Sequence, residues 1–167
     1  LVRRAVGPVD PSASLDRLLD QLASAARLAD RDARRLVHHD RSALVVSAVL
    51  YGGTSKVAAC GAADLTRQAI DQAIQAALGV ERLTGPEFER ARRERRPDLE
   101  IEGAGDLLPE AAAAVRFVDA RGEAAVPVRD RLLVLVAERG VTTADLVART
   151  GLKRAMVDRI RSRGRAG

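Results

Sequence analysis

Along most of this chain, apolar side chains recur three and four positions apart, the spacing that lines one face of a helix. Glycine, proline and runs of charge punctuate them. Residues 1–13 (LVRRAVGPVDPSA) hold two prolines and no period, which reads as an extended arm. Ser14 is placed to cap a first helix through about Leu28, with Leu15, Leu18, Leu19, Leu22 and Ala26 on one stripe. Second and third helices are predicted over Arg31–His38 and Arg41–Tyr51, and Gly52-Gly53 stops the third. Helices at Ser55–Ala62 and Thr66–Leu78 follow, with Gly79 as the stop. Thr84-Gly85-Pro86 then opens a charged helix, Glu87–Arg96, that ends before Pro97. The acidic, glycine-containing stretch Asp98–Leu108 reads as a linker, and a short β-strand fits Leu99–Glu102. Pro109 starts a helix to about Asp119, Arg121-Gly122 breaks it, and Val128–Glu138 forms another that ends at Gly140. Thr143–Arg149 and Lys153–Arg163 complete the pattern. The expectation is an all-α protein of small helical bundles. It divides into an arm (1–13), an N-terminal helical domain (14–83), a charged helix and linker (84–108) and a C-terminal helical domain (109–167).

Composition sharpens this picture. Aromatic residues make up 2% of the chain, namely Phe88, Phe117 and Tyr51, so the core must be built from Ala, Leu, Val and Ile. Closely packed short helices suit such a core better than a sandwich or barrel. The lone cysteine, Cys60, has no internal disulfide partner, which favours a reducing cytoplasm. No apolar run approaches the ~20 residues of a membrane span, and the first residues do not read as a signal peptide. The first residue is Leu rather than Met, which points to a processed or trimmed chain or a rare start codon.

The net charge is +5, and its placement matters more than its size. Residues 1–83 carry a net +2, residues 84–124 a net −3 and residues 125–167 a net +6. Lys153, Arg154, Arg159, Arg161, Arg163 and Arg165 face a single acid, Asp158, so the last 15 residues hold +5. Positive charge gathered at one end is the footprint of a nucleic-acid contact.

Two segments align without a gap when Gly53 is placed over Gly140: GTSKVAACGAADLTRQAIDQAI (Gly53–Ile74) and GVTTADLVARTGLKRAMVDRI (Gly140–Ile160). Leu65 and Leu152 share a register, and both open the pattern Leu-x-Arg-x-x-(Ile/Val)-Asp, with Arg67, Ile70 and Asp71 over Arg154, Val157 and Asp158. A turn between two short helices needs a residue that tolerates a left-handed backbone. Gly151 supplies it in the second copy and Asp64 stands there in the first; a register with Gly61 as the turn would bury Arg67. Four residues earlier the helices cross closely, at Cys60 and Val147, while Ile70, Ala73, Val157 and Ile160 face inward.

Both segments resemble the helix-turn-helix of bacterial transcription regulators. In that family the second helix lies in the major groove and its first turns touch base edges. The resemblance implies duplex-DNA contacts from Lys153, Arg154, Ala155, Asp158, Arg159 and Arg163 in the second copy, and from Thr66, Arg67, Gln68, Ala69 and Gln72 in the first. Thr54, Ser55, Thr142 and Thr143, at the start of each preceding helix, are placed to hold phosphate. Arg67–Asp71 and Arg154–Asp158 stand at i,i+4 spacing, either as surface ion pairs or as carboxylates that align a guanidinium on a base edge.

Other features point elsewhere less strongly. His38-His39-Asp40 has no second ligand cluster for a metal. Tyr51 lacks the Arg/His surroundings of a recombinase nucleophile and reads as a partly buried core residue. No phosphate loop, nucleophile elbow or metalloprotease helix occurs, so the expectation is a non-enzyme with no cofactor, metal or small-molecule ligand. The leading function is a transcriptional repressor or plasmid/phage control protein on duplex DNA, in the cytoplasm with the nucleoid. A monomer would use both copies on an asymmetric site, whereas a homodimer on a palindrome is expected if the second copy alone binds. The alternative is a protein-interaction or dimerisation module in the N-terminal half, with DNA binding at the C-terminal end. A sigma-like factor ranks lower, because promoter melting wants aromatics to stack flipped bases.

Overall fold

Five of the helices begin where a side-chain oxygen accepts a backbone N–H that the first turn leaves unpaired. Ser14, Ser55, Thr66, Thr84 and Thr142 each accept from the N–H three residues on, and a helix starts at the next position. The structure, a computed structural model, describes residues 9–164. Among those residues it is all-α, with no strand: α1 (Leu15–Leu28), α2 (Arg31–Leu50), α3 (Lys56–Ala63), α4 (Arg67–Leu78), α5 (Gly85–Glu94), α6 (Ala104–Glu138), α7 (Thr143–Thr150) and α8 (Arg154–Gly164). A 3-10 turn lies at Pro97–Leu99.

Several expected boundaries are not there. The helices predicted at Arg31–His38 and Arg41–Tyr51 are one helix, α2, because nothing between His38 and Arg41 denies the backbone its next bond. The linker at Asp98–Leu108 ends early, since α6 begins at Ala104 and buries Ala104 and Leu108. α6 then continues through Pro109 and through Arg121-Gly122, where a break was expected. Gly122 serves packing instead: a methyl group there would lie 2.9 Å from the Arg34 side chain, and Arg34 reaches Asp119 at 3.9 Å. The strand at Leu99–Glu102 is absent because a serine takes the place of a partner strand. Ser47 Oγ accepts from Ile101 N (2.7 Å) and donates to Ile101 O (3.2 Å). Of the expected arm, residues 1–8 lie outside the described residues, while Ala13 is buried and Arg139 donates to the carbonyls of Ala13 (2.7 Å) and Pro11.

Packing divides the chain into two compact units, residues Arg35–Phe117 and, in the other, the residues up to Arg34 together with those from Val118 on. This grouping does not follow the contiguous division at 83/84 and 108/109. In the first unit Val45, Val46 and Val49 of α2 pack with Ala59, Ile70 and Ile74 of the α3–α4 hairpin. In the second, Leu132, Leu133 and Val136 of α6 pack with Leu146, Val157 and Ile160 of the α7–α8 hairpin. Five of these pairs stand 87 positions apart: Val45 and Leu132, Val46 and Leu133, Val49 and Val136, Ala59 and Leu146, Ile70 and Val157. The repeat therefore reaches back into the helix before each hairpin.

Each core takes one more helix from the distant half of the sequence. Leu18 and Leu22 of α1 are in the core that holds α7 and α8, whereas Ala104 and Leu108 of α6 are in the core that holds α3 and α4. These two pairs also share a spacing, 86 positions (Leu18 and Ala104, Leu22 and Leu108). The first helix of each repeat thus completes the core of the other. Burial of each such leucine contributes roughly 1.5–3 kcal/mol.

Candidate nucleic-acid interface

The hairpin is built from three local devices, and both copies use all three at the same register. First, a glycine with positive φ ends the approach to each hairpin, Gly53 at +70° and Gly140 at +87°. Next, a hydroxyl caps the first helix: Ser55 Oγ accepts from Ala58 N at 3.1 Å, and Thr142 Oγ1 accepts from Asp145 N at 3.2 Å. Finally, a residue in the left-handed region turns the chain into the second helix. Asp64 has φ 54° and ψ 53°, and Gly151 has φ 70° and ψ 3°. An L side chain pays roughly 1–2 kcal/mol in that region, less for Asp than for most, so glycine is the relaxed choice and aspartate a tolerated one. Gly61 lies inside α3 and is not the turn. The second helices then start at Arg67 and Arg154, again 87 apart.

Burial decides which faces of α4 and α8 meet solvent. Ile70 and Ile74 of α4, and Val157 and Ile160 of α8, are buried. Lys153, just before α8, and Arg154, Ala155, Asp158, Arg159 and Arg163 of α8 are all exposed. On α4 and its cap, Thr66, Arg67, Gln68 and Gln72 are exposed, while Ala69 is half-buried. At these nominated positions the C-terminal hairpin therefore presents four cations and one carboxylate, and the N-terminal hairpin one cation and two amides.

Of the hydroxyls expected to hold phosphate, Ser55, Thr142 and Thr143 have partners within their own hairpins. Thr142 Oγ1 caps α7 and donates to Asp145 at 2.7 Å, and Ser55 caps α3; Thr66, expected among the groove contacts, caps α4. Thr143 Oγ1 accepts from Arg161 Nη1 at 2.5 Å and donates to Asp158 Oδ1 at 3.3 Å. Thr54 is half-buried, with Oγ1 2.9 Å from where a methyl group on Gly105 would stand.

The two arginine–aspartate pairs part company. Arg154 Nε lies 3.9 Å from Asp158 Oδ2, with 82% of the arginine side chain exposed, which makes it a loose surface pair. Asp71 does not pair with Arg67; it meets Lys56 Nζ at 2.6 Å. Lys56 also sits over the Phe88 ring of α5, 4.7 Å from its centre, with Arg92 over the same ring at 5.9 Å. Sequence reasoning missed Lys56 and Phe88. The available signal was that Lys56 aligns with Thr143, so that both precede the hairpin's aspartate by fifteen residues.

Arg96 was also missed. Its backbone N–H donates to Tyr51 Oη (3.3 Å), and its guanidinium binds the carbonyl of Ala77 (3.2 Å) and Asp98 (2.6 Å). The Arg96 hydrogen bond holds the Asp98 carboxyl below its ordinary range. Tyr51 is half-buried against the core. His38 Nδ1 lies 3.4 Å from Arg41 Nη2, and among the described residues no three His, Cys, Asp or Glu side chains gather to hold a metal. No helix of the described residues is long and apolar enough to cross a membrane.

No protein-family model matches the chain, and comparison with characterised proteins and with solved structures returns no match.

Proposed function

We propose that this chain is a sequence-specific duplex-DNA-binding protein that acts as a transcriptional regulator, a repressor or plasmid/phage control protein, at the nucleoid. The observation that carries the reading is the C-terminal hairpin. Its left-handed Gly151 turns the chain, through the exposed Lys153, into a second helix that exposes Arg154, Arg159 and Arg163. A helix of this kind fits the major groove, where an arginine makes a bidentate contact with guanine worth about 1–3 kcal/mol of discrimination. The same hairpin recurs 87 residues earlier, so one chain offers two reading helices, and an asymmetric site needs no dimer.

Fluorescence anisotropy on duplexes selected from a random pool tests this. With all four cations on phosphates the slope of log K against log salt is about −3 to −4, and each one directed to a base edge makes it shallower by about 0.9. Arg154→Ala and Arg159→Ala weaken binding, and the selected site is long and asymmetric. Absence of duplex binding, or affinity indifferent to both substitutions, rejects the reading.

One observation favours a second reading for the N-terminal hairpin. Val57 of α3 is 75% exposed and Leu36 of α2 is 69% exposed, in a unit whose second helix carries a single exposed cation among the nominated positions. A protein partner there, with DNA held at the C-terminal hairpin alone, predicts that Arg67→Ala with Gln68→Ala leaves DNA affinity unchanged. A dimeric complex on a palindrome would accompany it.

A further inference from the structure

The two hairpins share a backbone register but wire their equivalent aspartates differently. In the C-terminal hairpin Asp158 accepts from Thr143 at Oδ1 (3.3 Å), while Arg154 Nε stands near Oδ2 at 3.9 Å in the loose, exposed pair described above, which closes on Asp158 only when the guanidinium meets a base. Thr143 is itself fixed by Arg161 Nη1 at 2.5 Å. The approach through Nε leaves the terminal Nη1/Nη2 edge of Arg154 unoccupied, and that edge is the one that fits guanine O6 and N7. In the N-terminal hairpin Lys56 replaces Thr143. Its ammonium holds Asp71 at 2.6 Å, in a pair only 22% and 35% exposed, and is held in turn over the Phe88 ring at 4.7 Å. Arg67, the counterpart of Arg154, is exposed and has no ion-pair or hydrogen-bond partner among the described residues.

We infer that position 56/143 sets base specificity: threonine at 143 leaves Asp158 to orient Arg154 on guanine, whereas lysine at 56 removes Asp71 from Arg67. Lys56 and Thr143 are positioning residues, since they act through the aspartate rather than on DNA. An untethered guanidinium on a flexible stem reaches phosphates and several base edges alike, so it adds affinity without choosing a base. An oriented one chooses. The ligand is then a duplex site with one half specified by guanine opposite Arg154 and one half degenerate opposite Arg67. This inference rests on the DNA-binding reading above.

The test is base preference measured on the full chain from a random duplex pool, with thermal stability and salt slope recorded in parallel. Arg67→Ala and Arg154→Ala assign the half-sites. Asp158→Asn and Thr143→Lys each lower the guanine preference in the C-terminal half by about tenfold. Lys56→Thr creates a guanine preference in the N-terminal half, and Lys56→Arg, which keeps the cation on Asp71, restores the degenerate pattern. Preferences unmoved by Asp158→Asn and Lys56→Thr overturn the inference, as does a loss of affinity with preference intact, which a merely structural role would give. Failure of the unsubstituted chain to bind duplex DNA overturns the DNA-binding reading itself, and so separates the two.

Discussion

Leu22→Ala tests the crosswise packing of the two cores directly. Leu22 is fully buried among Leu132, Leu133, Val136, Leu146, Val157 and Ile160, although it lies in the first helix of the chain. Removing three buried carbons costs roughly 2.4 kcal/mol in transfer free energy. Incomplete collapse of the space left behind brings the total to about 3–5 kcal/mol. At 1.4 kcal/mol per tenfold, opening of that unit rises by about a hundredfold or more. Native-state hydrogen exchange on the full chain reads this amide by amide. Protection falls in α7, α8 and the last turns of α6, and holds in α3 and α4. Leu108→Ala, whose side chain is equally buried in the other core, gives the reverse pattern. If Leu22→Ala instead loosens α3 and α4, the N-terminal helix belongs to the core of its sequence neighbours and the assignment of helices to cores is wrong.

The remaining predictions concern turns, a buried hydroxyl and a cap. Gly151→Ala places a methyl group at φ 70° and lowers stability by about 1–2 kcal/mol, whereas Asp64→Gly, which relieves strain but loses an exposed Arg116 pair at 3.1 Å, shifts it by less than about 1 kcal/mol; equal melting-temperature changes in the two variants contradict the turn argument. Ser47→Ala leaves Ile101 N–H without its acceptor, while the Ile101 carbonyl keeps the Ala104 N–H at 3.3 Å, and costs about 1–3 kcal/mol, read as faster amide exchange at Ile101, and wild-type exchange there refutes it. Glu87 accepts from Thr84 N and Oγ1 at 2.8 Å, and those two hydrogen bonds, the backbone one foremost, hold its carboxyl below the ordinary 4.5. Because the folded value is the lower one, the stabilisation of α5 is complete above 4.5, declines as pH falls below it, and is gone once pH passes the folded value. An NMR titration of the Thr84 amide should therefore show a midpoint under 4.5, and Thr84→Ala should move Glu87 back toward it.

Local chemistry made much of the molecule readable in advance. The hydroxyl caps, the glycine stops and the three-and-four apolar spacing place most helix starts, because each depends on residues within one turn of one another. The hairpin turn was legible for the same reason, down to Asp64 standing where the second copy has Gly151. The false breaks came from reading Pro109 and Gly122 as punctuation. Their local penalties are real, about 1 kcal/mol for glycine and more for proline, but they are offset by packing, and the passage of Arg34 past Gly122 is a contact between residues far apart in sequence.

The solvent face of the C-terminal hairpin, with Lys153, Arg154, Arg159 and Arg163, was determined by the sequence alone, since helical spacing and a buried Val157 and Ile160 leave those residues nowhere else to point. The all-α class followed in the same way from composition and period. What the tertiary structure decided is which partner each group finds across the fold: Lys56 rather than Arg67 for Asp71, Ser47 rather than a strand for Ile101, and α1 in the core of the distant hairpin. These choices are made by side chains that meet only after the chain has folded, and the three-and-four spacing within one helix does not name them.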